Sequence, residues 1–421
     1  MVDDELRKIQ AGLGLREDAS IVATPDVGRI VEAAPVKEPE TPGEWIKLNL
    51  FSGPFNSIVS VVAIALSLFL ALKLFDFLFI GGEWEVVRNK MKAFMVGGFP
   101  LEEVWRVWLC FYLVAFLGAF TFASSGRTFS FTRRRSVVAA AVVVGAGAIV
   151  WFTTTTTKAR FLALLVPALI ALGFAVGRAV GNRARRPLFI GWILLFPMLM
   201  FIVRGFDGVP PELWGGFFFN LTAAVVAIFA SFPIGIALAV GRRSSFPAIR
   251  MFCVVVIEVF RGAPLVAWLI FAKYGLHLLL PPQLDVPDIV KALAMMTMFS
   301  AAYLAEIVRG GLQGVDEGQY EAARAIGLST TRTMVLIALP QALRSTIPAL
   351  ISHFISLFKD TALFTAIEVT EGLAVAGRLG LEFQGLEAQT LAFAALLFWM
   401  VAFSMSRWSQ RLEVRLGVGE R

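Results

Sequence analysis

Residues 318–341 read GQYEAARAIGLSTTRTMVLIALPQ, a polar, charged island between strongly apolar segments. Gln319 to Ile326 are good helix formers, Gly327 can adopt the left-handed conformation that stops a helix, and Ser329 or Thr330 can cap the next one. The stretch therefore predicts a short helix, a glycine stop and a second short helix ending near Pro340. Ala322 and Ala323 leave a small-residue face on which another backbone can approach closely, and Glu321 beside them offers a charge to orient a partner. An ordinary loop between two membrane helices would also be polar. The register of this one, Glu321-Ala322-Ala323, then Gly327, then Leu339-Pro340, sets it apart.

The surroundings of the island are those of a membrane protein. The chain has 421 residues, 57% hydrophobic and only 16% charged, and its long apolar runs predict an all-α integral membrane protein. Apolar spans fall at 55–80, 105–123, 137–152, 161–176, 187–203, 216–240, 251–279, 289–308, 347–364 and 391–405, about ten transmembrane helices. The formal charge of +7 carries no nucleic-acid signal, because much of the arginine excess flanks apolar spans, where it sets topology. Arg133-Arg134-Arg135, then Arg183, Arg185 and Arg186, then Arg242-Arg243, and finally Arg407 and Arg411 follow alternate spans. This pattern places both termini and the island in the cytoplasm. Residues 1–47 are acidic, polar and proline-containing, with no apolar core of the kind a signal peptide needs, so a mostly disordered tail over 1–50 is expected.

Intramembrane charge divides the remainder. The spans within 51–205 carry few acids and read as accessory helices. From 206 to 421 the spans acquire acids, bases and prolines, as expected of a transport core whose cytoplasmic loop covers about residues 312–342. Glu258 and Arg261 lie three apart on one helix face, where a self-paired bridge is expected, and Pro264 just beyond should bend or break the helix. Glu306 and Arg309 share the same spacing. Glu306 either pairs with that arginine or lines a pathway, where an anion would receive the amino group of a zwitterion. Lys359-Asp360-Thr361 puts a base, an acid and a hydroxyl into an apolar helix. Neighbouring residues there diverge by about 100°, so at least one should face a cavity.

Other residue types point away from chemistry. Cys110 and Cys253 lie in apolar spans and read as packing residues, and His277 and His353 have no second ligand at metal spacing. No pair of carboxylates or nucleophile–base set stands at a productive spacing, so no catalytic residue is expected. The chain has no phosphate-cradling G-x-x-x-x-G-K-[ST] motif. Any ATP-driven step would therefore need a second chain.

The island resembles the EAA loop of permease subunits of ATP-binding-cassette importers, the loop that docks into a groove on the ATPase. Glu258-Val259-Phe260-Arg261-Gly262-Ala263-Pro264-Leu265 looks like the polar amino-acid branch of that family. Lys359-Asp360-Thr361-Ala362-Leu363 resembles that branch's K-D-T-S-L motif, with alanine in place of serine. Residues 217–414 resemble the five-helix type I permease core, and 83–107 resembles the extended general L-amino-acid permeases with extra N-terminal helices. The resemblance implies substrate contacts at Glu306, Asp360 and Thr361, ATPase coupling through Glu321, Ala322, Ala323, Gly327, Leu339 and Pro340, and structural or gating roles for Glu258, Arg261 and Pro264. It also implies a homologous second permease, an ATPase dimer carrying ATP and magnesium, a periplasmic binding protein, an amino-acid cargo and a bacterial inner membrane. No cofactor is implied in this chain and no nucleic-acid partner. The competing expectation, raised by the intramembrane charges, is a secondary transporter driven by an ion gradient, although the two halves show no convincing duplication.

Overall fold

A computed structural model describes residues 21–22, 31–32, 41–124 and 157–416, except 282 and 285. The expected span at 137–152, the Arg133–Arg135 triplet and most of the N-terminal tail lie outside the described residues. The chain divides into two compact units, Met1–Gly82 and Glu83–Arg421.

In the first unit a two-residue antiparallel pair, β1 (Ile21–Val22) with β2 (Val31–Glu32), precedes two helices. Helix α1 (Pro42–Asn49) is capped by the Thr41 hydroxyl, which accepts from the Glu44 amide at 3.3 Å. Helix α2 (Pro54–Phe75) continues through a π turn (Asp76–Ile80), and together they form an apolar run of 27 residues. At 1.5 Å per residue this spans about 40 Å, more than the hydrocarbon core of a bilayer requires.

The second unit opens with two short helices, α3 (Glu85–Asn89) and α4 (Met91–Val96), followed by α5 (Val104–Ser124), α6 (Thr157–Val180) and α7 (Arg185–Arg204). Helix α6 packs closely on α5 because Gly173 and Gly177 have no side chain. A Cβ on either would come within 2.6 Å of the Phe116 or Phe120 carbonyl. Arg106, almost wholly buried, donates to the carbonyls of Ile202 at 2.7 Å and Gly205 at 3.0 Å, satisfying the C-terminal end of α7.

The remaining helices are α8 (Gly216–Gly241), α9 (Pro247–Gly262), α10 (Leu265–Tyr274), α11 (Asp288–Gln313), α12 (Glu317–Ala325), α13 (Thr330–Thr333), α14 (Leu339–Asp360), α15 (Gly372–Glu382) and α16 (Glu387–Leu416). Helix α11 is central. A Cβ on Gly235 of α8 would meet the Ala301 carbonyl at 2.8 Å, and one on Gly311 would meet the Ala342 carbonyl of α14 at 2.7 Å. Close backbone contact is how helices associate when lipid removes most of the hydrophobic drive. A buried cluster including Phe99, Val203, Phe219, Leu269, Met296 and Phe364 runs from the end of α7 into the later helices, without interruption at residue 206.

Among the described residues seven helical runs are long and apolar enough to cross a membrane, or eight if α9 and α10 form one broken span. The expected span at 187–203 lies in α7, whose apolar stretch is shorter. The all-α membrane architecture follows from these lengths.

Candidate functional site

The island folds as two helical pieces divided by glycine. Asp316 caps α12, accepting from the Gly318 amide at 2.7 Å. Gly327 takes φ +78°, and the Leu328 amide reaches back to the Ala323 carbonyl at 3.0 Å, closing the helix with a left-handed cap. Ser329 then caps α13, accepting from the Arg332 amide at 3.4 Å. On α12, Ala323 turns into the protein while Glu321, Ala322 and Gly327 stay exposed. The alanine pair therefore does not form one open face.

The expected end near Pro340 does not occur. A π turn (Met334–Ala338) leads directly into α14, with Pro340 in its first turn, and the helical run continues from Thr330 to Ile367. The wider turn lies where the proline ring and its missing N–H would otherwise disturb the preceding carbonyls. Leu339 packs against the buried cluster between α8, α9, α11 and α14, whereas Pro340 is exposed.

The second constellation sits around Glu306 on α11. Arg309, three residues on, donates to it through Nε at 2.8 Å and also through Nη2. Arg242, just past α8, reaches it at 3.3 Å, and Arg261 of α9 at 3.5 Å. Three helices thus supply three guanidinium groups to one half-buried carboxylate. Glu258 pairs with Arg242 at 3.4 Å, so the expected Glu258–Arg261 bridge is replaced by two bridges to other helices. The change has a local cause. Arg261 is in the last turn of α9, and the chain breaks at Ala263-Pro264, where α10 departs at 99°. Arg261 also lies over the Tyr303 ring, 5.5 Å from its centroid, and its buried Nε has no hydrogen-bond partner.

The third group lies at the far end of α14. Lys359 is exposed and Asp360 half-buried, so the two diverge as neighbours on a helix must. Thr361 has no exposed surface. Its hydroxyl donates to the Phe358 carbonyl at 2.6 Å and accepts from Asn220 Nδ2 at 3.0 Å. Asn220 also donates to Glu371 at 2.9 Å and accepts from the Gly372 amide at 2.8 Å. Glu371, fully buried, caps α15 by accepting from the amides of Leu373 (2.8 Å) and Ala374 (2.6 Å). Burial raises its carboxyl above the ordinary glutamate range, against the lowering effect of these donors. Backbones crowd at the same place: Gly216, at φ +57°, donates to the Thr370 carbonyl at 2.8 Å, and a Cβ on it would fall 2.7 Å from the Gly97 nitrogen.

One polar group gave no signal in the sequence beyond its residue types. Ser300 of α11 donates to Ser231 of α8 at 3.0 Å and meets His353 Nε2 of α14 at 3.0 Å, with the imidazole stacked on Tyr303. His353 is thus a cross-helix polar contact. Only the pairing of α8, α11 and α14 could reveal it.

Two clefts, of about 470 and 540 Å³, have mostly apolar linings, around Trp214 and Met298 in one and Trp84 and Phe393 in the other. Neither is bordered by the expected substrate residues. Among the described residues no group of three or more His, Cys, Asp or Glu could hold a metal ion.

Residues 231–418 match the family described as the binding-protein-dependent transport system inner membrane component. The chain is 30% identical over 410 residues to the glutamate/glutamine/aspartate/asparagine transport system permease protein BztC of Rhodobacter capsulatus, covering 89% of this chain and 93% of that one. It is 29% identical over 397 residues to the inner membrane amino-acid ABC transporter permease protein YhdY of Escherichia coli, with the same coverage. A solved structure of an amino acid ABC transporter with histidines is 25% identical, with a TM-score of 0.43, covering 54% of this chain and 96% of that one.

Proposed function

This chain belongs to the family of binding-protein-dependent transport system inner membrane components, and from that premise we propose that it forms part of the pathway by which polar or acidic L-amino acids and their amides enter a bacterial cell. It is a permease subunit of an ATP-driven importer and not itself an enzyme, and the family works with an ATPase and a substrate-binding protein. The second permease is a homologous chain, ATP and magnesium are held by the ATPase dimer, and both termini lie in the cytoplasm. Residues 206–421 act as the transport core, 51–205 as accessory helices and 1–50 as a tail. The names of the relatives support the cargo class. The alternating basic loops support the orientation.

The observation that carries the reading is the form of α12: a short, exposed helix with Glu321 outward, Ala323 inward and a left-handed stop at Gly327, set between α11 and α14. It is shaped to enter a groove on another protein and to move the two helices it joins. Leu339 and Pro340 serve the coupling through the start of α14. Glu306 and Asp360 are the charges that meet the cargo, and Thr361 acts by fixing the turn that carries Asp360. Glu258, Arg261 and Pro264 shape the gate at the broken span.

The test is purification of the chain with its associated subunits, reconstitution into liposomes, and measurement of glutamate and glutamine uptake. Uptake should need enclosed ATP and binding protein and should survive an ionophore. Uptake without ATP that collapses with the ion gradient would overturn the proposal in favour of a secondary transporter.

A further inference from the structure

Arg242 and Arg243 are adjacent in the turn after α8, yet their side chains serve different places. Arg242 Nη1 lies 3.3 Å from Glu306 and 3.4 Å from Glu258. Arg243 Nη1 donates to the Leu312 carbonyl near the end of α11 and to the Tyr320 hydroxyl on α12, both at 3.3 Å. Its guanidinium also lies over the Tyr320 ring, 5.8 Å from the centroid. The Tyr320 hydroxyl reaches the same Leu312 carbonyl at 3.5 Å. Helix α12 has only one fully buried residue, Ala323, so burial alone holds it loosely. Gln319 of the same helix accepts from Gln341, at the start of α14, at 3.2 Å.

We propose that the Arg242-Arg243 pair is a strut joining the coupling helix to the Glu306 charge cluster, and that Arg243 and Tyr320 are positioning residues for coupling outside the EAA triplet. The proposal rests on the reading of α12 as the ATPase-docking helix. When α12 shifts, Tyr320 carries Arg243 with it. Consecutive residues share one backbone, so Arg242 must then change its place beside Glu306 and Glu258. Glu306 keeps Arg309 from its own helix throughout, and the strut alters how many further guanidinium groups it balances. The simpler alternative gives Arg243 only the task of satisfying the exposed carbonyls that end α11, as basic residues often do. In that case the Tyr320 hydroxyl would be dispensable.

The experiment uses the whole importer complex in liposomes and reads ATP hydrolysed per radiolabelled glutamine taken up. Arg243→Ala removes both contacts, Tyr320→Phe removes only the hydroxyl, and Arg250→Ala deletes a nearby exposed charge from α9. The ATPase should co-purify with every variant. The ATP-to-glutamine ratio should rise at least about fivefold in Arg243→Ala, the lower end of ordinary coupling factors. It should rise in the same direction in Tyr320→Phe and stay at the wild-type value in Arg250→Ala. An unchanged ratio in Tyr320→Phe overturns the strut, and so does an equal rise in Arg250→Ala. If Arg243→Ala loses the ATPase, the near-isosteric Tyr320→Phe decides. Failure of the wild-type complex to use ATP would strike the functional reading instead.

Discussion

Asn220 and Glu371, 151 positions apart, meet inside the protein, where the Asn220 amide donates to the Glu371 carboxylate at 2.9 Å and neither residue is exposed. Through Asn220 the start of α8 is tied to Thr361, and through Glu371 to the first turn of α15. Every donor facing the carboxylate suits an acceptor. Glu371→Gln would turn one acceptor into a donor among donors, and Asn220→Ala would leave Thr361 and Gly372 short of partners. Each should cost about 1–3 kcal/mol, measured as a lower unfolding temperature in detergent. Wild-type stability in both variants would remove the network from the account of the fold.

The same carboxyl gives stability a pH dependence. Its folded-state pKa is raised, chiefly by burial, so in that window the native state holds a proton that the unfolded chain has released. Stability from this group should be greatest at low pH and decline as pH rises from the ordinary glutamate value through the raised one. Comparing the unfolding temperatures of wild type and Glu371→Gln across that range isolates the effect, because the variant should lack this part of the slope.

Glu306 is the anion on which three arginines converge. Glu306→Gln would leave Arg242 with Glu258 and take this carboxylate away from Arg261 and Arg309. The side chain is 23% exposed, so the cost is less than for a fully buried pair, about 1–3 kcal/mol. Uptake should fall with it. Adding Arg309→Ala to Glu306→Gln should cost less than the sum of the two changes, a non-additivity that a double-mutant cycle would measure.

Gly327 stops α12 with a backbone that side chains resist. A Cβ would have open space there, so any cost is conformational and not a clash. Gly327→Ala should cost about 1–2 kcal/mol at the cap, while Gly327→Asn, which tolerates the left-handed region, should cost less. ATP-driven uptake should follow the same order, wild type, then Asn, then Ala. Lower uptake in Gly327→Asn than in Gly327→Ala would mean that Gly327 serves close approach of a partner and not the stop.

The parts of this fold that local chemistry decides were legible in the sequence. The break at Pro264, the stop at Gly327 and the Ser329 cap each depend on a few consecutive residues. Partner choice was not legible. Glu258 and Arg261 have the spacing of a helix-surface pair, but charged ends from α8 and α11 lie close enough to take both. The roles of His353, Asn220 and Glu371 were hidden for the same reason, since each bonds to a helix distant in the chain. Proline near residue 340 misled more directly. Its usual effect is to end a helix, and a π turn placed before it allows the helix to pass through.

That π turn also absorbs a residue. Met334–Ala338 makes five-residue steps where an α-helix makes four, so it holds one surplus residue between the coupling helix and everything beyond. Five residues wound as a π turn cover nearly the same angle as four wound as an α-helix, so deleting any one of the five would let a plain α-helix form with the rest of α14 close to its present phase. His353 would stay beside Ser300, and Asp360 would keep its present face. The turn is thus a tolerance built into the helical run from Thr330 to Ile367, a place where one residue can be lost while both ends keep their alignment.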